Sequence, residues 1–541
     1  MHQTRSSDGE REALARAASA NPADAQVHHA LAEADARVGR LDDCVVSCRK
    51  AVALAPDRND AWLLLGKTLA ALGRTEEAVT ALREAVLGCP DSAAARSLLS
   101  GELHRLGRHD LAAEQARHAL AIEPGDAEAH LHLGLALQGL GRESAAAEAL
   151  GRAAALRPED PAYHRLLGEA LGREGRFEEA VEAIRQALLL DPSDARLHCL
   201  LARQLRGLGR LDGALAAYGE AIRLRPALAR AHYGRATTLL AMGRFHEAWE
   251  DFEWRDELPE AASTRHRHDG YAAPRWRGEP FQRRTLLVGI EQGAGDIFQF
   301  VRYLRPVKAR GGRVLLECRS EHRQLFRHLA GADELVARGA EGVPFDLFVP
   351  LLSLPGLFGT VPETIPSEVP YLFADPFLVA RWRDAVPSGP ETRVGLVWGG
   401  SPRHAGDRQR SAPLAAFQPL AAIPGIRVFS LQQGGREAEL ATAAPALRFE
   451  NLGARTQGYA ETAAVIANLD LVVSVDTSVA HLAAAMGKTV WVLLAVDADW
   501  RWGRESDRSP WYPTVRLFRQ SRPGDWVKVI DQVARALHPA A

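Results

Sequence analysis

Residues 56–90 read PDRNDAWLLLGKTLAALGRTEEAVTALREAVLGCP, a stretch that begins and ends on prolines 34 residues apart. On both sides of its central Gly-Arg pair, apolar residues recur at the three- and four-residue spacing of a helix. Because glycine ends one helix and proline cannot continue another, the stretch predicts one helix-turn-helix. The same spacing recurs along the first half of the chain, with prolines at 22, 56, 90, 124, 158, 192 and 226 and Gly-Arg pairs starting at 39, 73, 107, 141, 175, 209 and 243.

Two columns of small residues support this interpretation, because paired helices approach closely only where side chains are small. One column is Ala32, Gly66, Ser100, Gly134, Gly168, Ala202 and Ala236, and the other is Cys44, Ala78, Ala112, Ala146, Ala180, Ala214 and Ala248. The pattern resembles the tetratricopeptide repeat (TPR), most fully at Trp62, Leu65, Gly66, Leu69, Gly73, Ala78, Leu82, Ala85 and Pro90. The resemblance implies an all-α TPR superhelix of about seven repeats at 22–258, after a half-repeat at 1–21.

The repeat pattern breaks at Glu253-Trp254-Arg255, where the next alanine is expected. A separate feature of the repeats is a column of histidines at positions 28, 130, 164, 198 and 232. Neighbouring hairpins pack roughly 8 to 10 Å apart, whereas zinc needs each ligand nitrogen about 2 Å away. We therefore interpret the histidines as packing residues and predict that they hold no metal.

Composition excludes several classes of protein. A formal net charge of -2 gives no general attraction to nucleic acid or to an anionic membrane. Five cysteines without a C-x-x-C pair support neither a disulfide framework nor a zinc site. The chain shows no signal-peptide pattern and no apolar run of membrane-spanning length, so we expect a cytoplasmic protein without an integral membrane segment. Abundant Ala and Arg beside five Lys hint at a bacterial origin.

The pattern changes after residue 258. Residues 259–282, with Pro, Gly and mixed charges, predict a linker in which Trp276 is a candidate anchor. Short β-branched runs then alternate with helical stretches, which predicts parallel α/β sheets that bind ligands at the carboxyl ends of their strands. The runs lie at 285–290, 313–318, 347–352, 393–398, 427–432, 469–475 and 489–494.

A glycine-rich loop follows the first of these runs and reads EQGAGD at 291–296. Gly293 and Gly295 let the backbone approach a ligand, and Asp296 stands at the start of a helical stretch. Helix capping alone explains an Asp there, so catalysis and capping both stay open. The loop is too short for a dinucleotide or Walker pattern, and we expect no cofactor.

A second strand end reads DTSVAHLAAAMG at 476–487. The backbone N–H groups of Thr477, Ser478 and Val479 and the dipole of the following helix predict an anion site suited to a diphosphate. His481 lies one turn further on and could face the same ligand. The ordinary alternative is a helix cap followed by a histidine that faces the core.

Two further segments carry candidate binding residues. The loop at 399–411 carries Arg403, Arg408 and Arg410, whose guanidinium groups suit a phosphate, although a solvated loop explains them equally well. The loop-rich segment SPWYPTVRLFRQSRPGDW at 509–526 either closes over a base or sugar or packs between domains.

Together these strand ends resemble the two-lobed glycosyltransferases of the bacterial heptosyltransferase type (glycosyltransferase family 9), mainly at GAGD (293–296) and SVDTSVAHLAAAMG (474–487). The resemblance spans about 283–541 and implies a GT-B fold with two Rossmann-like lobes, 283–386 and a donor-binding 387–541. It implies Asp296 as the catalytic base, and it implies that Asp476, Thr477, Ser478 and His481 hold the donor diphosphate. Where family members commonly have Lys in the middle loop, this chain has only Arg.

The plan of repeats followed by a GT-B half also resembles peptide O-GlcNAc transferases, which implies a protein or peptide acceptor in the TPR groove. The first lobe, of about 100 residues, is short, so we expect the repeats to contribute to the acceptor site.

We therefore predict an inverting glycosyltransferase that uses a nucleotide-sugar donor. Asp296 removes the acceptor proton. The residues predicted to hold the donor are Gly293, Gly295, Arg408, Arg410, Asp476, Thr477, Ser478, Val479 and His481. No metal is expected, because we identified no D-x-D carboxylate pair after a strand and fixed positive groups can do that work. The alternatives are a TPR scaffold with an inactive GT-B half and a nucleotide-sugar epimerase, which would require paired catalytic carboxylates and a histidine around the cleft.

Overall fold

A computed structural model describes residues 2–339, 342–402, 406–443, 447 and 449–538 of the protein. The chain divides into two compact units, residues 1–200 and 201–541. No helix among the described residues is both long enough and apolar enough to cross a bilayer.

Repeat helices extend from the first described residue to Phe252, as the 34-residue period predicted. They are α1 (His2–Ala20), α2 (Ala25–Arg37), α3 (Leu41–Leu54), α4 (Asn59–Ala71), α5 (Thr75–Gly88), α6 (Ala93–Arg105), α7 (His109–Ile122), α8 (Ala127–Gly139), α9 (Glu143–Leu156), α10 (Pro161–Glu174), α11 (Phe177–Leu190), α12 (Ala195–Gly207), α13 (Leu211–Leu224), α14 (Ala229–Ala241) and α15 (Phe245–Phe252).

Glycines end the repeat helices and lie where paired helices cross, as the 34-residue period predicted. The seven glycines of the Gly-Arg pairs have φ between 70° and 85°, the left-handed conformation that ends a helix and favours glycine. Where the helices of a hairpin cross, a Cβ added to Gly66 would lie 2.5 Å from Cγ of Leu82, and one on Gly134 would lie 2.6 Å from Cγ of Leu150. The hairpins therefore require small residues at these crossings.

The histidine column has a structural role that explains its residue types. Each hairpin presents a side-chain nitrogen to the backbone carbonyl of the proline six residues earlier, which gives that carbonyl a partner. Where the residue is not His, it is another N–H donor, Trp or Arg. The pairs are His28–Pro22 (3.1 Å), Trp62–Pro56 (2.9 Å), Arg96–Pro90 (2.8 Å), His130–Pro124 (3.1 Å), His164–Pro158 (3.0 Å), His198–Pro192 (3.0 Å) and His232–Pro226 (2.8 Å).

The first lobe is built on a parallel four-stranded sheet of order β3-β2-β1-β4. Its central strand β1 is buried and pairs with both β2 and β4. The elements are α16 (Ala262–Asp269), β1 (Thr285–Gly289), α17 (Ala294–Phe300), α18 (Leu304–Lys308), β2 (Arg313–Cys318), α19 (Ser320–Arg323), β3 (Glu334–Ala337), β4 (Leu347–Pro350) and α20 (Leu354–Leu357).

The predicted linker at 259–282 is more structured than its composition indicated. It contains α16, whose polar sequence gave no apolar period, and Arg275 forms a parallel bridge to Phe348 of β4. Trp276 is 1% exposed and donates its backbone N–H to the Phe348 carbonyl at 2.7 Å. The prediction that Trp276 anchors this segment is confirmed.

The second lobe has a parallel six-stranded sheet of order β10-β9-β8-β5-β6-β7. The sequence missed β3, β7 and β10, which are short edge strands of their sheets. The elements are α21 (Pro376–Trp382), β5 (Thr392–Val397), α22 (Asp407–Arg410), α23 (Gln418–Ala421), β6 (Ile426–Ser430), α24 (Glu439–Thr442), β7 (Glu450–Asn451), α25 (Tyr459–Ala467), β8 (Leu471–Val475), α26 (Ser478–Ala485), β9 (Thr489–Leu494), β10 (Val515–Arg519) and α27 (Trp526–Leu537).

The last repeat helix shares a core with both lobes. The rings of Phe245, Trp249 and Phe252 on α15 lie 6.1, 6.1 and 5.9 Å from that of Trp500, which follows β9. The second compact unit begins at residue 201 and so includes the last repeat helices, which bury aromatic side chains against the α/β half.

Candidate active site

Two of the predicted strand ends meet in the structure. Helix α17, which starts after β1, packs against α26, which starts after β8. A Cβ added to Gly295 would lie 3.0 Å from Cδ2 of His481 and 3.6 Å from Cα of Ser478. The space beside Gly295 is therefore tight, and a side chain there would require His481 to shift by a few tenths of an ångström.

Asp296 both caps its own helix and pairs with a cation. Its Oδ2 accepts the backbone N–H of Gly293 at 3.0 Å, and its Oδ1 accepts from the guanidinium of Arg501. The side chain remains 18% exposed. Because a carboxylate oxygen has two lone pairs, each oxygen of Asp296 keeps capacity for a substrate hydroxyl. Capping and a chemical role are therefore compatible at this residue.

Arg501 is a site residue that the sequence analysis missed. It lies in a short 3-10 turn after β9 and donates to Asp499 Oδ1 at 2.8 Å as well as to Asp296. Burial opposes its charge, but Asp499 and Asp296 outweigh burial and raise the pKa of Arg501. Arg501 could have been found from its place in the sequence. It follows strand β9, and the segment after β9 reaches the same sheet edge as residues 476–481.

The sequence analysis also overlooked a D-x-D pair. Asp497 and Asp499 follow β9, contrary to the statement that no such pair follows a strand. Asp497 Oδ1 lies 3.3 Å from Nε of Arg206 and 3.1 Å from Nη2 of Arg504, and Asp499 pairs with Arg501. Arginines thus neutralise both carboxylates, which differs from the free pair that a metal-dependent transferase uses to bind its ion.

The start of α26 lacks the side-chain cap that the ordinary alternative required. The hydroxyl of Thr477, the residue at the N-cap position, lies 2.9 Å from the Ser474 hydroxyl and makes no capping hydrogen bond. Ser478 Oγ lies 3.2 Å from the Tyr459 hydroxyl, and Val479 packs at the edge of the core. No side chain at the N-cap position accepts from the first turn of α26, so the N–H groups of this turn can donate to a bound anion.

His481 faces the core, and this part of the ordinary alternative is confirmed. The residue is 5% exposed, stacks on Trp502 with ring centroids 4.9 Å apart, and has Nδ1 3.0 Å from the Tyr512 hydroxyl. Burial, with a smaller effect from Arg501, lowers the pKa of His481 to about 3. His481 is therefore neutral at physiological pH and does not supply a positive charge to a phosphate.

Asp476 lies beside His481, with Oδ1 3.8 Å from Nε2 of the imidazole. Burial, and then repulsion by Asp499, raise the pKa of Asp476 to about 6, while Arg410 and Arg501 act in the opposite direction. Arg501 also contacts Asp296 on α17, the helix that packs against α26. Arg410 and Arg501 are candidate cations for the charge that His481 does not carry.

The arginines of the loop after β5 separate into different surroundings. Arg403 lies outside the described residues. Arg410 pairs with the buried Asp407, with Nε 3.5 Å from Oδ1, whereas Arg408 is exposed and lines a cavity of about 620 Å³. The described residues of 293–296 and 476–481 do not line that cavity, so the cavity beside Arg408 is separate from the place where the two strand ends meet.

The aromatic segment at 509–526 packs between the lobes. Trp511 is fully buried and Tyr512 is 1% exposed. Arg302 of the first lobe donates to the Trp511 carbonyl at 2.6 Å and lies over the Tyr512 ring at 4.6 Å. Of the two sequence interpretations, packing is confirmed, and residues 515–519 form β10 rather than a loop.

The chain matches models of two known families. Residues 59–103, 98–161, 131–195 and 202–243 match tetratricopeptide-repeat models, and residues 425–523 match the model of glycosyltransferase family 9 (heptosyltransferase). The resemblances to the tetratricopeptide repeat and to glycosyltransferase family 9 are confirmed, and so is the fold class of TPR helices followed by an α/β glycosyltransferase fold. The second match contains residues 476–481 and Arg501 but not Asp296.

Individual relatives cover parts of the chain. Protein FlbA of Caulobacter vibrioides is 29% identical over 322 residues, 54% of this chain and 52% of that protein, so the chain spans about half the length of this curated relative. Similar solved structures include MamA of Desulfovibrio magneticus, 24% identical over 31% of this chain and 96% of that chain, with a TM-score of 0.30. PilF of Pseudomonas aeruginosa is 19% identical over 43% of this chain and 99% of that chain, with a TM-score of 0.35.

Proposed function

We propose that the protein is an inverting glycosyltransferase that moves a sugar from a nucleotide-sugar donor to a hydroxyl of an acceptor bound by the repeats. The observation that carries the proposal is the meeting of two strand ends, where Asp296 and the start of α26 lie side by side and Arg501 is ion-paired with Asp296. The family match at 425–523 supports glycosyl transfer.

In the proposed reaction, the acceptor hydroxyl attacks the anomeric carbon while Asp296 takes its proton. The bond between the sugar and the nucleotide diphosphate breaks on the opposite face, and the leaving group keeps the electron pair. A single displacement of this kind inverts the configuration at the anomeric carbon. No covalent intermediate is required.

Charge develops on the leaving diphosphate, and groups near the start of α26 are suited to stabilise it. The N–H groups of Ser478 and Val479 offer hydrogen bonds and the positive end of the helix dipole. Arg501 and Arg410 supply fixed positive charge, which is the task a metal ion performs in other transferases. We therefore propose metal-independent transfer, and expect activity to persist in excess EDTA.

The acceptor is proposed to be a protein or peptide. The support is the array of tetratricopeptide repeats, because repeat arrays form extended concave binding surfaces. Pull-down with the full-length Asp296→Asn variant, followed by transfer assays on the captured proteins with the wild-type enzyme, tests this part. If the captured proteins accept no sugar and a non-protein acceptor does, the proposed acceptor is wrong.

The first experiment on the reaction is a thermal-shift panel of UDP-, GDP-, ADP- and CMP-sugars. A ligand that binds only the folded protein stabilises it by about 2.7 kcal/mol at 100 times its Kd. The scaffold alternative predicts that no donor shifts the melting temperature.

The second experiment compares Asp296→Asn with a matched control. Asp375 also caps a short helix of the second half, accepting the Phe377 N–H at 2.8 Å, but it precedes α21 and does not follow a strand of either sheet. Asp296→Asn should lower kcat by roughly 10² to 10⁴ while donor binding persists, since a positioned base contributes about that much. Asp375→Asn should change neither kcat nor donor binding. Full activity of folded Asp296→Asn would refute the base assignment.

A further inference from the structure

The break in the repeat pattern at residues 253–255 has a structural consequence that the proposed reaction does not use. Directly after α15 the chain enters a 3-10 turn, Glu253–Glu257, and Arg255 of this turn is 2% exposed. A buried arginine at the end of a repeat array is costly unless its charge is paired and its N–H groups are bonded. The hydrogen-bond and ion-pair partners of Arg255 therefore indicate the structural role of the turn at which the repeat pattern ends.

Arg255 forms a two-pronged ion pair with Glu291, the first residue of the loop that carries Asp296. Arg255 Nε donates to Glu291 Oε1 at 3.0 Å, and Nη2 donates to Oε2 at 3.3 Å. The same guanidinium donates to Ser353 Oγ at 2.8 Å and to Glu253 Oε1 at 2.7 Å. The planar fork thus fixes both the distance and the orientation of Glu291.

Glu291 is itself buried, with 7% exposure, and Oε2 also accepts the backbone N–H of Leu352 at 3.0 Å. Arg255 and Glu291 each favour the charged form of the other. Glu291, Glu253 and Asp256 outweigh burial and raise the pKa of Arg255, while burial raises the pKa of Glu291 and Arg255 opposes this. Removal of Arg255 would leave the buried Glu291 carboxyl without its counterion and without two of its hydrogen bonds.

The backbone of the loop is held from the first lobe as well. The Ile290 N–H donates to Glu317 Oε2 at 2.9 Å, and Arg319 Nη2 donates to the Gln292 carbonyl at 2.7 Å. Both contacts come from strand β2 and the residue after it. Arg255 adds a contact from the repeat side, to the side chain of Glu291, which lies five residues before Asp296.

We infer that Arg255 is a positioning residue: its fork on Glu291 makes the last repeat helix set the place of the loop that carries Asp296. The inference rests on the proposed function, in which Asp296 is the base. Since α15 also packs on Trp500, the turn ties the repeats to both sides of the proposed site.

The test uses the full-length protein with Arg255→Met, Arg255→Lys and a control, Arg275→Met. Arg275 belongs to the same cluster, donating to Glu253 Oε2 at 2.6 Å and Ser353 Oγ at 2.9 Å, but it is 47% exposed and does not contact Glu291. A fourth variant, Arg255→Met with Glu291→Gln, removes the ionisable group that Arg255→Met leaves without a counterion, and does not restore the fork.

Misplacement of a reacting group by about 1 Å costs on the order of 100-fold in rate. Arg255→Met should therefore lower kcat by at least about 10-fold while donor KM changes less than about 3-fold, and Arg255→Lys should fall between it and the wild type. The double variant should melt near the temperature of the wild type, but its kcat should stay as low as that of Arg255→Met. If it regains both the melting temperature and kcat, Arg255 serves only to neutralise Glu291, and the inference is wrong.

Hydrogen–deuterium exchange gives a readout that needs no activity. Arg255→Met should speed exchange at residues 290–297 and leave residues 471–482 unchanged, whereas Arg275→Met should change neither segment. Unchanged exchange at 290–297 in Arg255→Met would overturn the inference even if the enzyme is active. If the wild type transfers no sugar, the proposed function fails, and the exchange result still decides whether Arg255 positions the loop.

Discussion

Trp249, on the last repeat helix, donates its indole N–H to the backbone carbonyl of Thr360 in the first lobe at 2.7 Å. Both groups are buried, so the bond joins the repeat region to the α/β half through a contact that water cannot replace. With the aromatic packing of α15 on Trp500, this hydrogen bond makes the end of the repeat array part of the core of the α/β half.

A fragment that starts at residue 259 should therefore be much less stable than one that starts at Ala195, the beginning of α12. The fragment that starts at residue 259 lacks Phe245, Trp249 and Phe252. Loss of each buried Phe or Trp side chain lowers the free energy of unfolding by about 3 to 5 kcal/mol. Thermal melts by circular dichroism and size-exclusion chromatography check this. Equal melting temperatures and monomeric behaviour of both fragments would contradict it.

The two glycines of the loop after β1 should respond differently to alanine. A Cβ at Gly295 would lie 3.0 Å from His481, closer than ordinary contact, whereas one at Gly293 would lie 3.4 Å from Asp296 Oδ2. Gly295→Ala should push α17 and α26 apart and lower kcat/KM by about 10-fold or more, because small displacements of reacting groups are costly. Gly293→Ala should stay within about 3-fold. Steady-state kinetics test the pair, and equal effects would refute this account of Gly295.

The repeats and the parallel sheets were predictable because their signals are local. The left-handed glycines and the small residues at helix crossings fall within one 34-residue period, and the central strands are continuous apolar runs. The strand β10 was hidden because Arg516 and Arg519 interrupt its apolar residues, as suits an edge strand.

The site was less predictable, since its contacts join distant parts of the chain. Asp296 and the segment at 476–481 could be proposed from motifs, but Arg501 reaches Asp296 across 205 residues and Arg255 reaches Glu291 across 36. No spacing rule links such residues. Their positions follow only from the strand order of two sheets and the packing of α15 on both lobes.

Arg501 should be sensitive even to a change that keeps its charge. Lysine cannot reproduce the fork that joins Asp296 and Asp499, so Arg501→Lys should lower kcat/KM by roughly 10² and weaken the thermal shift produced by the donor. Arg504→Lys is the matched control, because Arg504 pairs with Asp497 and does not contact Asp296. Similar losses in both variants would indicate a general packing effect instead of a role at the diphosphate.

The neighbours His481 and Asp476 should show opposite pH dependence of stability. The pKa of His481 is lowered from 6.5 to about 3, so the unfolded chain takes up a proton that the folded protein refuses as pH falls below 6.5. This contribution is complete above pH 6.5 and is lost on acidification, by about 2 kcal/mol at pH 5. The pKa of Asp476 is raised from 3.8 to about 6, so its contribution is present below pH 3.8 and is lost as pH rises to 6.

Melting temperatures of the wild type, His481→Gln and Asp476→Asn between pH 4.5 and 8 separate the two effects, because each variant removes one titration. The difference between His481→Gln and the wild type should shift in favour of the variant as pH falls from 7 to 5. The difference for Asp476→Asn should shift in favour of that variant as pH rises from 4.5 to 7. Curves parallel to the wild type in either variant would show that the group is not held in the unusual protonation state that its burial between α26 and the turn after β9 imposes.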